Sequence, residues 1–156
     1  DIAVITGNME SPSSQLRLEG FHAAMRENGL SIEARHVVYG EYTMKGGERA
    51  ARTLLDRKDK PTAIFCFSDE IAIGCLHVLR SQGYEVPGDI SIVGFDDVPF
   101  ARYSAPPLTT ISQPTEAIGT TCATILLDII DGKNPESMRN ILPHQLVIRE
   151  STRPIA

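Results

Sequence analysis

The sequence predicts an α/β fold in which a parallel sheet carries helices on both of its faces. Short apolar segments rich in Val, Ile and Phe alternate with longer segments whose apolar residues recur at helical spacing, an order typical of βαβ units. The apolar segments are continuous rather than alternating in polarity, as expected for strands covered on both sides. A chain of 156 residues, 42% of them hydrophobic, is long enough for one well-buried core.

The first part of the chain predicts two strands and two helices. Ile2–Ile5 is a short β-branched strand, and Val37-Val38 ends a second one. Between them, Ser11-Pro12 offers a helix start and Asn28-Gly29 a helix stop. A second helix, from about residue 45 to 57, presents apolar residues on one side.

The middle of the chain predicts two further strands with a helix between them. Residues 63–67 read as a buried strand, and Ser68-Asp69 is a capping start for the helix that follows. Gln82-Gly83 ends that helix, and residues 90–95 form the next apolar strand.

The pattern changes after residue 105. Residues 106–111 form an extended segment, a helix runs from about 115 to 131, and residues 142–148 could be a last strand. Pro106-Pro107 is the best candidate for a crossing between two subdomains, because paired prolines favour stiff, extended backbone. One helix is too little for a domain, so we expect it to complete a neighbouring lobe.

Charge and cysteine content narrow the class of protein. A net charge of −5 gives no positive footprint for nucleic acid, so DNA contact is expected elsewhere in the protein. Cys66, Cys75 and Cys122 lie in apolar segments without CxxC spacing, which predicts reduced core thiols in a cytosolic protein. No apolar run is long enough to span a bilayer, so we expect no membrane association. The chain begins in a strand and without methionine, so upstream sequence is expected.

Polar side chains follow all four of the first strands. Because ligands bind outside the carboxyl ends of parallel strands, we expect these residues to form one rim. Carboxylates, hydroxyls, aromatic rings and a guanidinium suit a neutral polyhydroxyl or nucleoside ligand. The rim residues are Thr6, Asn8, Ser11, Ser13, Arg17, Tyr39, Glu41, Tyr42, Ser68, Asp69, Glu70, Asp96 and Asp97.

Each of these residues also has a purely structural interpretation. Ser11, Ser68 and Asp69 could act as helix caps, Arg17 could pair with a surface acid, and Asp96-Asp97 could shape a turn. The sequence alone leaves both interpretations open.

Signatures of enzymes are missing from the sequence. It contains no GxGxxG or GxxxxGK[ST] loop and no GxSxG elbow, and its four histidines lack zinc spacing. We therefore expect no cofactor, no metal and no catalytic residue. The paired acids Asp69-Glu70 and Asp96-Asp97 could do acid–base work, but adjacent side chains point in different directions.

Several longer motifs resemble the lactose/galactose repressor (LacI/GalR) family of transcriptional regulators. They are the segment PTAIFCFSDE at 61–70, VPGDISIVGFDD at 86–97 and PLTTISQP at 107–114, with QLRLEGF at 15–21 and LVIREST at 146–152. The resemblance covers nearly the whole chain. It implies a sensor built like periplasmic sugar-binding proteins of type I, with two α/β lobes around an effector cleft.

The resemblance also implies a division of this chain between the two lobes. Residues 1–111 correspond to the C-terminal lobe of the effector-binding domain, residues 112–142 return to the N-terminal lobe, and residues 143–156 form the final strand and tail of the C-terminal lobe. A DNA-binding helix-turn-helix headpiece is expected upstream, outside this chain.

By resemblance, Arg17 and Asp96 hold effector hydroxyls or polar ring atoms, and Tyr42 stacks on the effector. Ser13 matches a polar contact before the first helix. Ser68 occupies a polar position before Asp69, and Gln113 falls at a crossover that can reach the cleft. Ser11 stands where purine-sensing relatives carry arginine, which argues against a purine base and leaves a sugar or a pyrimidine nucleoside. Of these two classes the favoured one is a sugar or sugar derivative.

The function that follows is a binding switch in the cytoplasm. The small-molecule effector is expected to favour one orientation of the lobes and so change how a homodimer presents its headpieces to DNA. The resemblance places part of the dimer interface at Ile73, Phe100 and Tyr103. The alternative is a periplasmic sugar-binding protein of a transport system, which would use the same rim.

Overall fold

The computed structural model describes residues 1–134, 137 and 139–154. Within these residues, six strands form one sheet in the order β2-β1-β3-β4-β5-β6. The strands are β1 (Ile2–Ile5), β2 (Val37–Val38), β3 (Ala63–Cys66), β4 (Ser91–Asp96), β5 (Thr109–Ser112) and β6 (Gln145–Val147). The helices are α1 (Pro12–Glu27), α2 (Met44–Leu55), α3 (Asp69–Ser81) and α4 (Thr115–Ile130).

The predicted α/β fold with a parallel sheet is confirmed, with one addition at the edge. Strands β1 to β5 are parallel, whereas β6 runs antiparallel to β5 and pairs Ile111 with Leu146. The chain therefore returns to the sheet in the opposite direction after α4, and β6 is shorter than the predicted strand at 142–148.

The order of the strands places helices on both faces of the sheet. Because βαβ crossovers are right-handed, α1 lies on the face opposite α2 and α3. Phe21 of α1 stacks on Phe65 of β3 with ring centroids 6.2 Å apart. Phe65 is half-buried, while its neighbours Ile64 and Cys66 are buried on the other face. The α2–α3 side therefore holds the tighter core.

Two glycines allow α2 and α3 to pack backbone to backbone. A Cβ on Gly47 would lie 2.1 Å from the Ile71 carbonyl oxygen, and a Cβ on Gly74 would lie 2.0 Å from the Met44 carbonyl oxygen. Any larger residue at either position would push the helices apart, so this contact fixes the layer over β1, β3 and β4.

The helix starts follow the predictions in part. The Ser68 hydroxyl accepts a hydrogen bond from the Ile71 amide at 3.2 Å, which confirms the cap of α3. Thr43 caps α2 in the same way through the Gly46 amide at 2.9 Å. Ser11 precedes α1, but its hydroxyl hydrogen bonds to the Ser13 hydroxyl instead of a helix amide.

Helix α4 differs from the other helices because none of its residues is buried. Leu126, Leu127 and Ile130 are 58%, 61% and 70% exposed.

Cys122 lies on this helix and is exposed, so the prediction of three core thiols was wrong for it. Cys66 and Cys75 are buried, and burial raises the pKa of the Cys66 thiol well above its ordinary value.

Ser151 fastens the end of the chain to the sheet. Its buried hydroxyl donates to the Ile92 carbonyl oxygen at 2.6 Å and accepts from the Thr109 amide at 2.8 Å, so it bridges β4 and β5. The segment after β6 is thus part of the sheet structure.

Among the described residues, each helix is too short or too polar to cross a bilayer.

His36 makes the stability of this fold dependent on pH. It is buried, and burial, followed by the Arg35 charge, lowers the pKa of its imidazole below 6.5. Between the lowered pKa and 6.5 the unfolded chain binds a proton that the folded chain does not. The contribution of the buried, neutral His36 to the free energy of unfolding is therefore fully present above about pH 6.5. It is lost as the pH falls from 6.5 to the lowered pKa.

We expect the urea concentration at the midpoint of unfolding to be lower at about pH 5.5 than at about pH 7.5. This decrease should be smaller in His36→Gln. His77→Gln is the matched control, because His77 is an exposed histidine on α3 and its removal should leave the pH dependence unchanged. A His36→Gln variant with the pH dependence of the parent chain would contradict this assignment.

Candidate functional site

Arg17 is the centre of a cluster at the carboxyl edge of the sheet. Its guanidinium lies over the Phe95 ring, 3.8 Å from the ring centroid. One terminal nitrogen, Nη1, donates to the Phe67 carbonyl oxygen, and Nη2 lies 3.7 Å from Oδ1 of Asp96. Residues from α1, from the segment directly after β3 and from β4 thus meet here, because the carboxyl ends of parallel strands share one edge.

Asp96 owes its orientation to an unusual backbone. Asp96 and Asp97 have φ angles of 109° and 54°, both in the left-handed region that costs a non-glycine residue about 1–3 kcal/mol. This turn places the Asp96 carboxylate next to Arg17, and Gln113 donates to its Oδ1 from Nε2 at 2.6 Å. Burial raises the pKa of Asp96, and the Arg17 charge and the Gln113 hydrogen bond oppose that rise.

The aromatic ring of Tyr42 lies beside this cluster. Its hydroxyl hydrogen bonds to the Ser14 hydroxyl at 2.7 Å, which ties the ring to α1. A Cβ on Gly7 would lie 2.0 Å from Cε2 of the ring, so the ring lies directly against the Gly7 backbone. The Arg17 guanidinium carbon is 6.0 Å from the ring centroid. Position 7 therefore has to be glycine for Tyr42 to lie here.

The two predicted serines are placed differently from this cluster. Ser68 is buried and its hydroxyl caps α3, while the neighbouring Phe67 supplies the carbonyl that holds Arg17. Ser13 is exposed in the first turn of α1, and its hydroxyl bonds to Ser11. The structure thus brings Arg17 and Gln113 to the Asp96 carboxylate, whereas Ser68 has a structural role.

Phe95 and Gly7 are parts of the site that the sequence did not indicate as such. Phe95 was assigned to a buried strand, and its contact with Arg17 depends on the relative position of β4 and α1. Phe95 directly precedes Asp96 in the sequence, and this position could have indicated a role in the site. Aromatic rings commonly lie beside the hydrogen-bonding groups of ligand sites.

Asp69 ties together the three elements that surround the site. It is buried, and its Oδ2 accepts from the Val98 amide at 2.9 Å while Oδ1 accepts from the Thr110 hydroxyl at 2.5 Å. A Cβ on Gly94 would lie 2.1 Å from Oδ1, so the carboxylate fills the space beside this glycine. Burial raises the pKa of Asp69 despite these hydrogen bonds. Its place in the fold is that of a structural tether, not of a free acid or base.

Asp97 points away from the cluster and forms a second ion pair. Nη2 of Arg149 lies 2.6 Å from Oδ1 of Asp97, and Nη1 of Arg149 donates to the Leu108 carbonyl oxygen at 2.8 Å. This ion pair links the turn after β4 to the segment after β6, and both of its side chains are largely buried.

The chemistry of the cluster is that of a binding site. One carboxylate, one amide, one guanidinium and two aromatic rings can form several hydrogen bonds to a ligand and cover a ring face. An open cavity of about 450 Å³ adjoins Phe95 and Gln113 and is bounded by α4. In the part of the chain that the structure describes, no group of three or more His, Cys, Asp or Glu side chains is arranged to hold a metal ion.

The predicted dimer residues lie on another surface. Phe100 and Tyr103 are 69% and 78% exposed, in and directly after a short 3-10 turn at Pro99–Arg102. Ile73 is half-buried on α3 and lines a shallow groove together with Ser104.

A family model described as a periplasmic binding protein-like domain matches residues 1–152. The HTH-type transcriptional repressor CytR of Escherichia coli strain K12 is 39% identical over 152 residues, which are 97% of this chain and 45% of that protein. The ribose operon repressor of Haemophilus influenzae is 37% identical over 96% of this chain and 45% of its own length. The chain thus spans about half the length of the curated relatives that it matches.

Solved structures agree with this similarity. A transcriptional regulator CelR–cellobiose complex has a TM-score of 0.91 and 38% identity over 96% of this chain and 46% of its own. A lac repressor dimer bound to operator and the anti-inducer ONPF has a TM-score of 0.90 and 32% identity over 97% and 52%. These proteins are transcriptional regulators, in agreement with the expectation of a protein that is not an enzyme.

We expect Asp69→Ala to lower the free energy of unfolding by about 3 kcal/mol, because it leaves the Val98 amide and the Thr110 hydroxyl without their acceptor. Urea unfolding of this chain measures the change. Glu70→Ala removes an exposed acid in the same helical turn, and its effect should stay within about 0.5 kcal/mol. Equal effects of the two variants would contradict the role of Asp69 as a tether.

Proposed function

The chain belongs to the family of periplasmic binding protein-like domains, and we propose that it is part of the effector sensor of a DNA-binding repressor of the lactose/galactose type. The observation that carries this proposal is the cluster of Arg17, Asp96 and Gln113 at the carboxyl edge of the sheet. Its position is that of ligand sites in open α/β sheets. The named relatives are repressors, which supports this function over a periplasmic transport protein.

The effector in this proposal is a small molecule of the sugar or nucleoside class. Asp96 and Gln113 offer hydrogen bonds to hydroxyl groups or polar ring atoms, Arg17 offers donors, and Tyr42 offers a ring face. The CelR structure in complex with cellobiose is a relative that binds a sugar. Ser13 remains a predicted contact at the rim, and Ser68 contributes through its hold on the start of α3.

We assign residues 1–111 and 143–156 to one lobe and residues 112–142 to a second lobe whose main part lies outside this chain. Support comes from α4, which leaves Leu126, Leu127 and Ile130 exposed. A helix with no buried residue needs a partner that covers its apolar side chains. In this division the cavity that Phe95 lines together with Gln113 and α4 lies between the two lobes.

The mechanism in this proposal is a shift between two orientations of the lobes. An effector that contacts Arg17 and Asp96 on one lobe and the facing lobe across the cleft stabilises one orientation over the other. That orientation sets the geometry of an upstream helix-turn-helix headpiece on DNA. The net charge of −5 of this chain fits a sensor that leaves DNA contact to the headpiece, and a repressor acts beside DNA in the cytoplasm.

The same proposal includes a homodimer through the surface of Ile73, Phe100 and Tyr103. Two large aromatic side chains are exposed in and directly after one short turn, and the half-buried Ile73 lines a groove with Ser104, the residue after Tyr103. Exposed aromatic side chains of this kind are typical of a surface that is covered in the assembled protein.

We expect Arg17→Ala and Asp96→Asn to lower effector affinity ten- to a hundredfold in the intact protein, since each removes a charged hydrogen-bonding group worth about 1.5–3 kcal/mol. Thermal shift and calorimetry with cellobiose, ribose and cytidine measure binding, and operator affinity with and without ligand measures the switch. Arg26→Ala, an exposed arginine on the same helix, is the control. A ligand bound equally by all variants would place the site elsewhere.

We expect Tyr103→Asp to raise the dimer dissociation constant of the intact protein at least tenfold, because it places a charge in the core of the proposed interface. Sedimentation equilibrium measures the change. Tyr39→Asp is the matched control, since Tyr39 is 68% exposed beside the opposite edge strand. Dimer affinity that falls equally in both variants, or in neither, would contradict this surface.

A further inference from the structure

The guanidinium of Arg17 is already paired with a carboxylate at the candidate site. Arg17 is the cation of the cluster, and its Nη2 lies 3.7 Å from the Asp96 carboxylate. Its Nη1 is held by the Phe67 carbonyl oxygen, and its face is covered by the Phe95 ring. An anionic group would therefore have to compete with Asp96 for this guanidinium.

Further carboxylates surround this pair. Glu70 lies in the first turn of α3, and its charge adds to the rise in the pKa of Asp96 that burial causes. The charges of Asp96 and Asp97 in turn raise the pKa of Asp69, while Arg149 is engaged with Asp97 at 2.6 Å. The described side chains around Arg17 thus carry more negative than positive charge.

The N-terminus of α3 at this edge is occupied as well. Helix N-termini attract phosphate through their free amides and their dipole. Asp69 and Glu70 occupy the first turn of α3, and the Ser68 hydroxyl takes one of its amides.

We infer that this site takes an uncharged sugar or nucleoside and discriminates against the phosphate ester of the same molecule. The inference rests on the proposed function and narrows its ligand class. A phosphate ester adds about 1.5–2 negative charges, which the carboxylates of Asp96 and Glu70 repel. A neutral ring instead finds the Asp96 carboxylate and the Gln113 amide for its hydroxyls and the Tyr42 ring for its face.

Matched pairs of ligands test the inference on the intact protein. Calorimetry compares ribose with ribose 5-phosphate, glucose with glucose 6-phosphate and cytidine with cytidine 5′-monophosphate, and cellobiose serves as an additional neutral probe. We expect a neutral member to bind with a dissociation constant at least tenfold lower than its ester. An ester that binds as tightly as its neutral partner, or more tightly, overturns the inference and leaves the proposed sensor function intact. No binding by any member contradicts the proposed function and, with it, this inference.

A charge variant tests the cause of the discrimination. In Glu70→Gln, the ratio of ester to neutral dissociation constants should fall at least about twofold at low ionic strength, because one repelling charge is gone. Glu27→Gln removes an exposed acid at the far end of α1 and should leave the ratio unchanged. An unchanged ratio in Glu70→Gln counts against the inference, even if a neutral ligand binds.

Discussion

The buried carboxylate of Asp69 holds the turn after β4 against the sheet, and the geometry of the site depends on that hold. Its hydrogen bond from the Val98 amide fixes the backbone directly behind Asp96 and Asp97. Both aspartates have left-handed φ angles, a conformation that persists only where surrounding contacts determine it. Asp69 supplies one such contact, and the bond from Thr110 couples it to β5. The turn that carries Asp96 and the strand that leads to Gln113 therefore share one support.

The left-handed turn also places the carboxylates of two adjacent residues, Asp96 and Asp97, in different electrostatic surroundings. Asp96 faces the open edge, where Arg17 and Gln113 hold it. Asp97 faces inward to Arg149, which also donates to the Leu108 carbonyl. One adjacent pair of acids thus serves the site on one side and the closure of the sheet on the other. This division explains why the side chains of neighbouring acids do not act as a catalytic pair here.

The sequence predicted the strands and helices well because each is marked by a local signal, such as the Ser68 cap or the stop at Gln82-Gly83. The antiparallel direction of β6 and the exposure of Cys122 escaped prediction, since both depend on how distant segments meet. In the site, resemblance pointed to Arg17, but the Phe95 ring beneath its guanidinium required a spatial relation between α1 and β4.

The bridge made by Ser151 sets an order on folding during synthesis. Its hydroxyl joins Ile92 of β4 to Thr109 of β5, and the bond to Ile92 spans 59 residues of chain. While residue 151 is still inside the ribosome, β5 lacks both this bridge and its neighbour β6. Contacts so distant in sequence form late and leave an unpaired edge exposed in the meantime. Until that serine emerges, the edge of β5 is therefore open to pairing with a strand of another chain.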